Sequence, residues 1–219
     1  MHNILGVCAK YPEPGRVKTR LARDIGDAGA MRVYKTIAEM VLRKTAPDTG
    51  DYGRIVFYSP SAMKARFEEW LPGERLLPQR GSDIGERMKN ALIDSFTLGA
   101  EKAAVVGVDL PDLDRDIIKR SFLELDSADI VIGPALDGGY YLIGMKMLFP
   151  ELFHGIPWSS HKVFEETIET IHKLGLNCSV LDRLTDVDTV EDLRKFHFLE
   201  SCLDLSIAKR HGRHPSRPL

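Results

Sequence analysis

Apolar positions fall into short continuous runs that alternate with longer stripes of helical spacing. Ile4–Ala9 is apolar throughout, as a strand buried on both faces requires. Arg54–Tyr58 predicts a second strand, and Ala103–Val108, the cleanest apolar run, predicts a third. Asp129–Gly133 and Tyr140–Met145 predict two more, with Gly138-Gly139 between them, and Asn177–Leu181 predicts the last. Ala28–Ala46 carries Met31, Tyr34, Ile37, Ala38, Val41 and Leu42 on one helical face and stops before Pro47. Ser61–Leu71 predicts a helix ended by Pro72-Gly73. Asp83 with Glu86 three residues on reads as a capping box, opening a helix to about Leu98. Helices over Asp114–Leu125, from a Ser159 or Ser160 cap to about Leu174, and over Val190–Leu205 complete the set. Alternating β and α elements predict a three-layer α/β domain with a mostly parallel sheet.

The chain has 219 residues, enough to bury a core without a disulfide or metal staple. Its 43% hydrophobic and 28% charged residues exclude a disordered or collagen-like chain. Thirty Lys and Arg stand against 32 acids, a net charge of −2, which argues against non-specific nucleic-acid binding. Cys8, Cys178 and Cys202 have no zinc spacing and read as free thiols of a reducing compartment. The apolar start is short and lacks a basic flank, and no run approaches a transmembrane segment, so a soluble cytoplasmic protein is expected. Residues 1–205 read as one domain. Residues 206–219, with Lys209, Arg210, Arg213 and Arg217, read as a basic tail, either solvated or touching a partner chain in a homodimer.

Ligands of open α/β sheets bind outside the carboxyl ends of the strands, so those ends are where chemistry is expected. After the first strand come Lys10, Arg16, Lys18 and Arg20, with Gly15 allowing close backbone approach. A helix starting near Arg16 would add free N–H groups, and the whole would suit a di- or triphosphate. The spacing is neither a Walker loop nor a dinucleotide fingerprint. Asp109 ends the apolar strand Ala103–Val108, where a carboxylate suits Mg²⁺ or Mn²⁺ shared with substrate phosphates. Asp186 and Asp188 are read as facing opposite ways, one toward the sheet edge as a second metal carboxylate and the other toward solvent. Asp137, before Gly138 and Gly139, is placed to position an acceptor hydroxyl or act as its base. Gln79 and the Gly81 backbone are candidates for reading a nucleotide base, with Arg87 on the following helix. Tyr140 and Trp158-Ser159-Ser160-His161 are candidates for an acceptor pocket, although His161 reads more readily as an exposed first-turn helix residue.

The run Pro14-Gly15-Arg16-Val17-Lys18-Thr19-Arg20-Leu21, the Asp109-Leu110-Pro111-Asp112 turn, Asp137-Gly138-Gly139-Tyr140-Tyr141, Trp158-Ser159-Ser160 and Asp186-Val187-Asp188-Thr189 occur in this order. With them the chain resembles the glycosyltransferase-A-like (GT-A) nucleotide-diphospho-sugar transferase superfamily. Within it, the match is to the small bacterial family DUF2064, whose members are described as glycosyltransferases, some linked to arsenosugar biosynthesis. The usual Trp-Ser-Thr of the family is Trp158-Ser159-Ser160 here, which keeps the hydroxyl. The resemblance implies a Rossmann-like sheet binding a nucleotide with Mg²⁺ or Mn²⁺. It assigns the metal to Asp109 and selects Asp188 over Asp186 as the second ligand.

The expected function is transfer of a sugar from a nucleotide-sugar to a small acceptor. Lys18 and Asp137 would act in catalysis, the metal and the cations neutralising charge on the leaving diphosphate. Two other readings stand beside it: a nucleotidyltransferase releasing pyrophosphate, and a nucleotide-binding module without turnover.

Overall fold

The computed structural model describes residues 3–202, so the basic tail 206–219 and the expected helix end at Leu205 lie outside the described residues. The strands are β1 (Asn3–Lys10), β2 (Gly53–Ser59), β3 (Leu76–Pro78), β4 (Lys102–Gly107), β5 (Ile130–Pro134), β6 (Tyr140–Met145) and β7 (Cys178–Val180). They form one sheet in the order β3-β2-β1-β4-β6-β5-β7. Only β6 runs against its neighbours β4 and β5, so the sheet is mixed but mostly parallel. The strand β3 has no counterpart in the sequence reading. It is three residues long, lies at the sheet edge and ends in Pro78, which has no N–H to give a ladder.

The helices are α1 (Thr19–Lys44), α2 (Lys64–Trp70), α3 (Ile84–Thr97), α4 (Arg115–Glu124), α5 (Val163–Lys173) and α6 (Val190–Arg194). α1 begins well before the expected Ala28, and also later than the helix start expected near Arg16. Gly26, at φ 74° and ψ 160°, breaks it into two segments, so the early turn carrying Leu21 and Ile25 falls out of the main apolar stripe. The Asp83 carboxylate accepts from Glu86 N–H, but Glu86 accepts from the N–H and hydroxyl of Ser82, so the expected reciprocal box is not closed. α5 starts at Val163 without a side-chain cap. Ser160 Oγ accepts from Lys162 N–H just outside it. α6 has the full Thr189–Asp192 capping box and stops at Arg194, followed by a 3₁₀ segment, His197–Cys202.

Alternate side chains of the central strands feed two cores. Leu5, Val7, Ala104 and Val106 meet Val33, Ile37, Ile118, Phe122 and Leu193 of α1, α4 and α6 on one face. Ile4, Ala103 and Val105 meet Leu92 and Ile171 of α3 and α5 on the other. Each buried aliphatic or aromatic side chain of this kind contributes roughly 1.5–3 kcal/mol relative to exposure. The β1–β4 pair is therefore a firm floor. Strand order reverses there, the chain leaving β1 toward β2 on one side and β4 toward β5 on the other. The loops leaving these two strands diverge, which opens a crevice at the sheet edge.

Candidate active site

The loop after β1 is pinned at its start. The Tyr34 hydroxyl accepts from Lys10 N–H at 2.8 Å and donates to Lys10 O at 3.0 Å. The Tyr11 ring then packs edge-on against Phe67 and Trp70, drawing the loop toward α2. The chain returns at buried Val17, and Lys18 follows with φ 48° and ψ 46°. A left-handed backbone costs a non-glycine residue about 1–2 kcal/mol, so its side chain must repay it. That side chain is 3% exposed. Its Nζ lies 2.9 Å from Asp109 Oδ1 and donates to Asp188 Oδ1 at 2.8 Å. Charge-assisted contacts of this kind are the strong ones. Burial alone would lower the lysine pKa, but the two carboxylates outweigh it and hold the ammonium above its ordinary value.

Asp109 leaves the end of β4 between buried Val108 and Leu110. Its Oδ1 is buried and has no well-aligned hydrogen bond, only the ammonium beside it. The Asp109 carbonyl accepts from Val187 N–H at 3.2 Å, which ties the segment carrying Asp188 to the β4 loop. Asp186 and Asp188 do not face opposite ways as expected. Both line the same cleft, with Val187 buried between them. In an extended segment residues i and i+2 share a face and i+1 takes the other, so the apolar residue is the one turned inward.

The cleft encloses about 640 Å³. Its ionic lining is Arg20, Asp109, Asp137, Asp186 and Asp188. Burial, followed by the negative charges of Asp137 and Asp188, pushes the Asp186 carboxyl up to about 6. The apolar lining of the cleft includes Ile84, Met88, Tyr140, Trp158 and Val163. Cys8 also lines it, and burial pushes that thiol up to about 12, which makes it a poor nucleophile. Cys8 and Cys178 are both free, as expected.

Asp137 and Gly139 lie in the cleft wall, and Asp137 Oδ1 accepts from Gly139 N–H at 2.8 Å. Gly138 has φ 90°, and a Cβ there would lie 2.1 Å from the His161 carbonyl oxygen. The close approach predicted for this glycine pair is therefore to the chain itself, at Gly138. Trp158 stacks over Gly85, where a Cβ would lie 2.2 Å from the indole, and Tyr140 meets it edge-on at 6.4 Å. Ser159 and His161 line the same wall, and Ser159 is the second non-glycine residue with positive φ, at 66°.

Lys10, Gly15, Arg16, Lys18, Gln79, Gly81, Arg87 and Gly138 are not in the cleft wall. Lys10 and Arg16 are exposed on the loop that Tyr11 pulls away. Gln79 Nε2 donates to the carbonyls of Ala9 and Phe57, so its amide is occupied at the strand ends. Arg87 Nε donates to Gly81 O, and Gly81 packs against the Glu86–Arg87 backbone. Asp186 is the acid that sequence reasoning gave to solvent or left open, and its i, i+2 relation to Asp188 was the available signal.

Among the described residues no three His, Cys, Asp or Glu side chains form a metal cage. The Asp109–Asp188 pair suits Mg²⁺ or Mn²⁺ rather than a structural metal. Two carboxylates from different loops already share one cation centre, and such ions complete their shell with water and substrate phosphate.

A family model described as "Uncharacterized protein conserved in bacteria (DUF2064)" matches residues 42–160. The chain belongs to this family. In this DUF2064 protein the matched stretch holds Asp109, Asp137 and Trp158, while Lys18 and Asp188 reach the site from outside it. No curated protein matches the sequence. Among solved structures, a protein of Desulfovibrio desulfuricans G20 named "putative nucleotide-diphospho-sugar transferase" is 33% identical, covering 91% of this chain and 88% of that one, with a TM-score of 0.84. A nucleotidyl transferase from Methanothermobacter thermautotroptrophicus, 15% identical over 91% of this chain and 99% of that one, has a TM-score of 0.57. A CMP:2-keto-3-deoxy-manno-octonic acid synthetase, 13% identical over 92% and 99%, has a TM-score of 0.53. These two share the fold of the DUF2064 chain. No helix among the described residues is long and apolar enough to cross a membrane.

Proposed function

We propose that the chain is a metal-assisted transferase that binds a nucleotide-sugar in this cleft and passes the sugar to a small acceptor. The observation that carries this reading is the buried cation site at the β1/β4 crevice, where Lys18 joins Asp109 to Asp188 on a strained backbone. The name of the 33% identical D. desulfuricans protein supports it.

Asp109 and Asp188 would hold Mg²⁺ or Mn²⁺, which supplies charge neutralisation to the leaving diphosphate. Arg20, 65% exposed beside Asp188, is the cation open to phosphate, whereas Lys18 is engaged by the two carboxylates. Gly139, Tyr140, Trp158 and Ser159 would form the acceptor wall, with Gly138 fixing the turn behind it. Asp137 has one oxygen bound to Gly139 N–H, which leaves the other to orient an acceptor hydroxyl or take its proton.

Nucleotidyl transfer is the second reading, favoured by the placement of Lys18 and Arg20 at the start of α1, a pair suited to a triphosphate. The two reactions break different bonds. Sugar transfer cleaves the sugar carbon from the outer phosphate and leaves a nucleoside diphosphate. Nucleotidyl transfer cleaves at the inner phosphorus of a triphosphate and leaves pyrophosphate. Phosphorus NMR of the protein with Mn²⁺ and panels of nucleotide-sugars or triphosphates separates them, with water serving as a slow acceptor. Metal-dependent nucleoside diphosphate from a nucleotide-sugar is the expected result. Pyrophosphate formed only from a triphosphate with a sugar phosphate would select the second reading. Binding without turnover in either panel would favour a non-catalytic module.

A further inference from the structure

Asp188 has a cationic partner at each oxygen: Lys18 Nζ at 2.8 Å from Oδ1, and Arg20 Nη1 at 3.7 Å from Oδ2. Asp109 Oδ1 faces the same ammonium at 2.9 Å. Two carboxylates against one ammonium and one guanidinium make a neutral set. A divalent ion entering that set would add two charges beside an ammonium that already occupies the shared side of the pair. Two cationic centres in contact with the same two oxygens repel strongly at such separations, and burial of the lysine weakens the screening that water would provide.

The pair is nevertheless open to an ion. The Asp109 and Asp188 side chains are 43% and 34% exposed toward the cleft, while the lysine behind them is 3% exposed. Asp109 Oδ1 is buried with no aligned hydrogen bond, so its present partner satisfies it only by charge. The Lys18 side chain is a flexible four-carbon stem, and its backbone is held independently of it, Ala22 N–H donating to Lys18 O at 2.9 Å.

We propose that Lys18 is a tethered counter-ion that competes with the divalent cation for Asp109 and Asp188, so that the pair holds one or the other. The proposal rests on the reading of these two carboxylates as the metal site. It also joins the two roles open to Lys18. With no metal bound, the ammonium keeps two like charges together. A divalent ion that takes its place releases the ammonium, which becomes free to meet phosphate.

The test uses Mn²⁺ alone, without nucleotide, and reads binding rather than activity. Free Mn²⁺ is followed by electron paramagnetic resonance during titration of the wild type, Lys18→Met and Lys18→Met/Asp109→Asn. Methionine keeps the unbranched stem and removes the charge. Lys18→Met is expected to bind Mn²⁺ at least tenfold more tightly than the wild type, a change of about 1.4 kcal/mol. The double variant is expected to lose that gain. The melting temperature supplies a second readout, since a bound ion stabilises the fold by an amount that grows with the logarithm of its affinity. Mn²⁺ should raise the melting temperature of Lys18→Met more than that of the wild type. Equal or weaker Mn²⁺ binding by Lys18→Met, with clear binding by the wild type, would overturn the competition and leave the metal site standing. No Mn²⁺ binding by any of the three would overturn both.

Discussion

At Gly138 a Cβ would lie 2.1 Å from the carbonyl oxygen of His161, and φ is 90°. At Gly139 the nearest atom would be Asp137 Oδ1 at 3.1 Å, on a backbone that any residue adopts. The two neighbours should therefore respond differently to the same methyl group. Gly138→Ala is expected to cost about 2 kcal/mol or more, because a backbone atom cannot move aside cheaply and the left-handed conformation is itself strained. Gly139→Ala is expected to cost less than about 1 kcal/mol. Denaturant titration of the two variants checks this, and equal losses would mean that the His161 contact does not fix the turn. Single residues were legible where their chemistry is tied to a strand end. Asp109 was read that way, whereas the strand end left Asp186 and Asp188 open and the family resemblance chose Asp188; Asp109 and Asp188 share the Lys18 ammonium. Gln79 carries the right donor, but the fold occupies its amide nitrogen with the carbonyls of Ala9 and Phe57, a long-range pairing that no local pattern encodes.

At the scale of elements, the short α6 helix positions the Asp188 carboxylate. Thr189 Oγ1 accepts from Asp192 N–H at 3.2 Å and donates to Asp192 Oδ2 at 2.8 Å, while Thr189 N–H donates to the same carboxylate at 3.1 Å. Thr189→Ala removes the cap and should cost about 1 kcal/mol. In a chain of this size that lowers the melting temperature by about 2–4 °C. Thermal denaturation followed by circular dichroism checks it, and an unchanged transition would mean that Val187 and Leu193, both buried, hold the segment without the cap. This box was readable because all its bonds are local. The strand β3 and the first turn of α1 were not. The former gains its identity from pairing with β2, and the latter is separated from its own apolar stripe by Gly26.

At the scale of the whole molecule, the site depends on where the strand order changes direction. The switch between β1 and β4 brings together loops that are far apart in sequence, with Lys18 on one, Asp109 on the other, and Asp188 tied to both. The alternation of strands and helices announced the layers, and the strand order that places the crevice is a property of the assembled sheet. The most direct measurement is calorimetric titration of the wild type and Asp109→Asn with a panel of nucleoside diphosphates, with and without Mn²⁺. The substitution keeps the shape of the side chain and removes its charge. Mn²⁺-dependent binding of at least one nucleotide by the wild type, weakened by tenfold or more in Asp109→Asn, is the predicted result. The same affinity and the same Mn²⁺ dependence in both proteins would contradict the assignment of this crevice as the metal and nucleotide site.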